Sequence, residues 1–129
     1  MNIRLVLLSI GAGVLALGLT GCGENPDVVV KNWHAAIMNC DLEMANQYAD
    51  AAAAKGNAGV IAVVKDFKLR AVSDLAAQKS LRQLGGMTFS AAKTNGDIAV
   101  VRASIEGDGQ EGVLTLKKIG GKWKISDFK

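Results

Sequence analysis

Hydrophobic positions along this chain fall into three spacings, and each spacing predicts its own kind of element. From Leu5 to Leu19 they run almost without interruption, Ser9 being the one polar side chain. Between Asp27 and Cys40 they recur at helical intervals. Val29, Trp33, Ala36, Ile37 and Cys40 share one face, Val30 lies at its edge, and Lys31 and Met38 point the other way. Asn25-Pro26-Asp27 supplies the start of that helix: Asn as N-cap, Pro in the first helical position, Asp against the positive end of the dipole. Asp41 is placed to cap a second, short helix from Leu42 to Ala49, burying Leu42, Ala45 and Tyr48 or Ala49. The Ala51–Ala54 run is able to extend it. Asn57 reads as the cap of a third helical stretch, in which Val60, Ile61, Val64, Leu69, Val72 and Leu75 are spaced for burial. The pattern leaves open whether that stretch runs unbroken to Leu84; Gly85-Gly86 ends it.

After Gly86 the period becomes two. Met87–Thr94 places Met87, Phe89 and Ala91 on one face, and Thr94-Asn95-Gly96-Asp97 is a hairpin turn of the Asn-Gly kind. Ile98–Ile105 follows, with Ala99, Val101, Ala103 and Ile105 on one face. Gly107-Asp108-Gly109 predicts a second turn, Val113–Ile119 a third strand, Gly120-Gly121 a third turn and Lys122–Phe128 a fourth strand. Helices followed by a meander predict an α+β domain, with the N-terminal helices packed on one face of a four-stranded antiparallel sheet. Residues 26–129 form one such domain.

The apolar run at the amino terminus is of another kind. One positive charge, Arg4, precedes it, as in the charged and apolar regions of a secretory signal peptide. It ends in Leu19-Thr20-Gly21-Cys22, which resembles the lipobox of bacterial lipoproteins. The resemblance implies a signal peptide over residues 1–21, cleavage before Cys22, and acylation of that thiol and of the new amino terminus. Two or more acyl chains give stable attachment where one is marginal. The partner so implied is a membrane, reached through the lipid anchor at Cys22. In the family pattern an Asp after the Cys favours the inner membrane; Gly23 stands there, so the outer membrane of the cell envelope is favoured. A transmembrane helix is the competing reading, since Leu5 to Gly23 is uncharged and long enough to span. Five glycines (Gly11, Gly13, Gly18, Gly21 and Gly23) and the lack of a basic flank beyond them speak against it. Residues 22–25 make a short lipidated tether. At about 3.5 Å per residue it holds the domain within roughly 10 Å of the headgroups.

Composition adds exclusions. The 129-residue chain, less a 21-residue signal, leaves 108 residues, enough for one core. Its 15 Lys and Arg against 12 Asp and Glu are spread out, the nearest cluster being Lys117, Lys118, Lys122, Lys124 and Lys129. Nucleic-acid binding shows as a dense basic stripe, so no nucleic-acid partner is expected. With one His and two Cys no metal-site spacing can be written, and no cofactor motif occurs. The candidates for acid–base chemistry, His34, Tyr48 and Asp66, read respectively as a surface imidazole, a packing aromatic and a solvated carboxylate. Cys40 reads as a buried small hydrophobe.

Five short strings carry a further resemblance. Pro26 to Trp33, Ala36-Ile37 and Asp41 to Tyr48 open the domain; Asp97 to Ser104 and Leu116 to Ile125 close it. Together they are similar to small bacterial lipoproteins with a domain of unknown function in the nuclear-transport-factor-2-like (cystatin-like) superfamily. The resemblance implies a cone, a curved sheet wrapped around helices with a pocket at its open end, and Trp33, Tyr48, Phe89, Val101 and Trp123 are the candidate lining. The middle region, 51–86, departs from the pattern. The expected function is non-enzymatic: a binding or accessory domain at the envelope surface, with no catalytic residue. It would take a small apolar ligand or an envelope protein, and a sheet-to-sheet homodimer is common in the superfamily. The alternatives are an enzyme of the ketosteroid-isomerase-like or dehydratase-like sort, using a carboxylate in the cone, and an interaction lipoprotein acting on an outer-membrane partner.

Overall fold

The computed structural model describes residues 24–105 and 109–129. The expected signal peptide, the lipobox-like segment with Cys22 and most of the expected second turn lie outside the described residues. Among the described residues no helix is long and apolar enough to cross a membrane.

Four helices come first: α1 (Pro26–Met38), α2 (Leu42–Gln47), α3 (Ala51–Arg70) and α4 (Leu75–Gly85). Three begin on an aspartate whose carboxylate accepts orphan backbone N–H groups. Asp41 takes that of Met44, Asp50 that of Ala53, and Asp74 those of Ala76 and Ala77. Asn25 occupies the N-cap position of α1 with Pro26 after it and Asp27 in the first turn, but its side chain makes no capping bond. The end of α1 also differs from expectation. Cys40 lies beyond the helix in the left-handed region (φ 57°), its N–H donating to Ile37 O while that of Asp41 donates to Ala36 O. This is a Schellman-type closure with cysteine where glycine usually sits. Cys40 is therefore half-buried at a turn rather than buried on the helical stripe. Met38, expected outside, packs against the core.

The middle of the chain corrects the periodicity most. Asp50, not Asn57, starts the third helix, so Ala51–Ala54 opens α3 instead of extending α2. Asn57 lies inside α3 and is buried. The helical stretch breaks after Arg70, and the turn before α4 carries Leu69, Val72 and Leu75 into solvent at 76%, 86% and 78% exposure. Their spacing suits burial only on one continuous helix; the break at 71–74 takes them past the end of the core. Leu42, too, is exposed.

The sheet matches the expected meander except at its first strand. Met87–Thr94 is two short strands, β1 (Thr88–Phe89) and β2 (Lys93–Asn95), both paired antiparallel with β3 (Ile98–Ser104). At the interruption the Ser90 hydroxyl accepts the Arg102 N–H at 2.9 Å, doing the work of a ladder carbonyl. Ala91 is exposed and Ala92 turns inward instead. Strands β4 (Glu111–Ile119) and β5 (Lys122–Phe128) complete the order β1/β2–β3–β4–β5, with a bulge between Thr115 and Leu116. Gly120 and Gly121 both hold positive φ, as a two-residue hairpin with primed turn geometry requires.

Alternation along β3, β4 and β5 sends Ala99, Val101, Ala103, Leu114, Leu116, Trp123 and Ile125 to one buried face. Against it pack Val29, Val30, Trp33, Ala36 and Ile37 of α1, Ala45 of α2, and Ile61 and Val64 of α3. The helical and sheet halves are joined by main chain at one place among the described residues. Ile125 N–H donates to Tyr48 O, and Asp50 N–H to Ile125 O, both at 2.8 Å. At the far end of β4, Gly112 lies directly under the Phe128 ring. A Cβ there would stand 2.6 Å from Phe128 Cε1 and 3.1 Å from the Lys129 carbonyl oxygen. Gly112→Ala is expected to lower stability by about 1–3 kcal/mol, the cost of overpacking. It should appear as a lower urea midpoint at unchanged slope; an unshifted midpoint would show that the ring yields freely.

Candidate ligand cavity

Trp33 stands at the centre of the candidate site. It is 5% exposed, projects from the buried stripe of α1, and donates its indole N–H to Asn57 Oδ1 at 3.0 Å. The Asn57 amide in turn donates to Asn46 Oδ1 at 2.9 Å. Asn57 is the one buried polar side chain among the described residues, and both ends of its amide are engaged. That is the condition under which a buried amide is tolerated. The relay ties α1, α2 and α3 together. On its other side the Trp33 ring meets Phe128 edge-on, centroids 5.8 Å apart.

Two cavities flank this pair and share Trp33, Val60 and Phe128. One, of about 580 Å³, lies between the start of α3 and the end of β5, with Asn57, Ser126, Asp127 and Lys129 in its wall. The other, of about 300 Å³, is a partly open groove between α1, α3 and the end of α4. Trp33, Ile37, Met38, Val60, Val63, Val64, Leu84, Met87 and Phe128 line it together with His34. No carboxylate, hydroxyl or thiol side chain faces it. The His34 ring is held in place: Nε2–H donates to the Leu84 carbonyl at 2.7 Å, and the ring meets Phe89 edge-on at 5.2 Å. A small apolar groove with one fixed polar group is what a site for an apolar ligand needs.

The five residues expected to line one pocket do not meet in one. Trp33 lines both cavities. Phe89 lines a recess next to His34. Tyr48 and Trp123 belong to a separate, more polar cavity with Glu24, Lys122 and Lys124, near the start of α1. Val101 lines none of these; it is wholly buried in the core. The packed core divides the space between helices and sheet into separate parts. Burial, and secondarily the Glu24 carboxylate, push the Tyr48 phenol above its ordinary value, with Asn32 opposing. Asp66 is exposed and pairs with Arg70 at 2.9 Å. Among the described residues no group of His, Cys, Asp and Glu comes together to hold a metal ion.

The residues missed were Asn57, Val60, Val63, Val64, Leu84, Met87 and Phe128. The β-branched run Val60–Val64 inside a helix was the available signal. It is poor helix-forming material, placed where it forms an apolar wall.

No protein-family model matches the chain, and no curated protein matches it. Among solved structures, a Campylobacter jejuni protein provisionally named an NTF2-like transpeptidase, known from a crystal structure at 2.00 Å, superposes with a TM-score of 0.54. The match covers 81% of this chain and 99% of that one at 18% identity. The chain has an NTF2-like fold. At that identity the likeness speaks to architecture alone, and it agrees with the curled antiparallel sheet and the helices on its concave side. Within this NTF2-like fold the two cavities around Trp33 and Phe128 lie between the helices and the end of β5.

Asn57→Leu removes the acceptor of the Trp33 indole and leaves a buried N–H unpaired. The expected loss is about 1–3 kcal/mol, read from urea unfolding in a Trp123→Phe background so that emission reports Trp33 alone. Unchanged stability and unchanged Trp33 emission would show that the relay holds nothing in place.

Proposed function

We propose that this chain is a lipid-anchored binding domain of the bacterial cell envelope that holds a small apolar ligand in the cavity beside Trp33. The observation that carries the binding reading is the wall of that cavity: ten side chains, nine of them apolar or aromatic, converging on about 300 Å³. Of the four spaces described it alone has no carboxylate, hydroxyl, amide or ammonium side chain in its wall, and a mostly apolar lining with few polar groups marks a ligand site. An isomerase or dehydratase of the superfamily would need a carboxylate base within reach of the substrate proton. The cavity wall supplies none, which favours binding over catalysis. The Campylobacter protein is named for peptide transfer, a reaction that calls for a nucleophile beside a base. Cys40, the free thiol, is not among the residues of either cavity.

The anchor rests on Leu19-Thr20-Gly21-Cys22. With Pro26 already in α1, few residues separate Cys22 from the fold, and the domain acts close to the membrane surface, the outer membrane being favoured by Gly23.

A second reading, docking to an envelope protein, draws on one observation. Leu69 at the end of α3, Val72 in the turn and Leu75 at the start of α4 are mostly exposed. Contiguous exposed apolar side chains mark interaction sites more often than scattered ones do.

Native mass spectrometry of the chain from Gly23 to Lys129, purified from periplasm without added ligand, tests the leading reading. A stoichiometric extra mass is the expected result, and its identity names the ligand. A clean apo mass moves the weight to protein partners. For the anchor, Cys22→Ala is expected to leave unprocessed precursor outside its normal membrane fraction. Normal maturation of that variant would refute the lipobox assignment.

A further inference from the structure

Beside the apolar cavity lies a recess of different character. It measures about 380 Å³, is lined by Lys31, His34, Met87, Thr88 and Phe89, and shares His34 and Met87 with the cavity. Lys31 is the one charged side chain in either wall. It is exposed, and no described carboxylate pairs with it. Asp27 stands one helical turn earlier at the right spacing for an ion pair, yet the two do not form one. The Thr88 hydroxyl makes only a long contact, 3.5 Å, with the Ser104 carbonyl. His34 sits at the junction with Nε2–H committed to Leu84.

Polarity therefore rises in one direction across the shared residues, from an uncharged groove past a fixed imidazole to an ammonium with no carboxylate partner among the described residues and a loosely held hydroxyl. We infer that cavity and recess form one site for a single-chain anionic amphiphile of the fatty-acid kind. Its hydrocarbon tail lies among Ile37, Val64 and Leu84, and its carboxylate rests at Lys31 and Thr88. The inference rests on reading the cavity as a ligand site and adds the class of ligand and its direction.

Desolvation sets that direction. A carboxylate inside the cavity would lose its water with no charged or hydroxyl partner in return, a heavy cost, so the head stays at the mouth where the cation is. A neutral hydrocarbon would use the cavity and leave Lys31 idle. A compact polar ligand would strand its polar atoms against valine and leucine. Taking about 30 Å³ for a water-sized group, the cavity accommodates about ten such groups, which suits a medium-length chain.

The test uses the full chain in membranes of the cells that produce it. Diazirine-bearing decanoic acid and the corresponding diazirine-bearing decanol serve as photoaffinity probes, and labelled peptides are read by mass spectrometry. The acid is expected to label the segments around Ile37–Met38, Val63–Val64 and Leu84–Met87, and decanoate is expected to compete far better than decanol. Lys31→Glu, a change at an exposed position that the fold tolerates, should cut labelling by the acid at least about fivefold and leave labelling by the alcohol unchanged. Equal labelling by both probes, insensitive to Lys31→Glu, would overturn the anionic head group while leaving an apolar ligand site. Labelling of those segments by neither probe would overturn the binding cavity itself.

Discussion

The indole of Trp33 is the interaction on which the rest of this molecule depends. It closes the core from above, carries the end of a polar relay through Asn57 to Asn46, and forms the partition between two cavities. Each of these roles constrains the others. The hydrogen bond fixes the ring plane, the plane fixes where Phe128 can meet it edge-on, and that contact determines how the space beside it is divided. A buried donor that must be satisfied thus sets the shape of an apolar site. Polar chemistry decides the geometry; apolar side chains supply the surface.

Much of this architecture was legible in the sequence because the signals were local. The Asn-Gly and Gly-Gly turns, the two-residue alternation of β3 and β5, and Pro26 at the head of α1 each act over a few residues. They keep their meaning whatever surrounds them. The reading failed where meaning depended on a distant partner. Asn57 looks like a cap because a polar residue after an alanine run usually is one. It is a core residue because Trp33 brings it a donor from twenty-four positions away. Leu69, Val72 and Leu75 look buried because burial was inferred from spacing, and spacing says nothing about where the sheet ends.

The candidate site shows the same division more sharply. The concave side could be read from alternation, and Trp33 could be placed on it. That Tyr48 and Trp123 face one space while Phe89 faces another follows from how three helices fill a curled sheet, and no pairwise pattern in the chain encodes it. One side of the cavity wall is built from α3, whose own preference for helix is weak along Val60–Val64. Tertiary packing and the Asp50 cap hold that segment helical, so wall and fold are stabilised together.

The splice at Ile125 has a consequence for how the molecule assembles. Helices α1 to α4 find one another within the first part of the domain, and strands β1 to β5 pair almost entirely with sequence neighbours, so each half can gather quickly from short-range encounters. The Tyr48–Ile125–Asp50 junction is different, because its partners lie more than half the chain apart and closing it must wait for both halves. The space beside Trp33 exists only once that junction has formed, since Phe128 arrives on the same strand. Completion of the cavity and completion of folding are therefore the same late event.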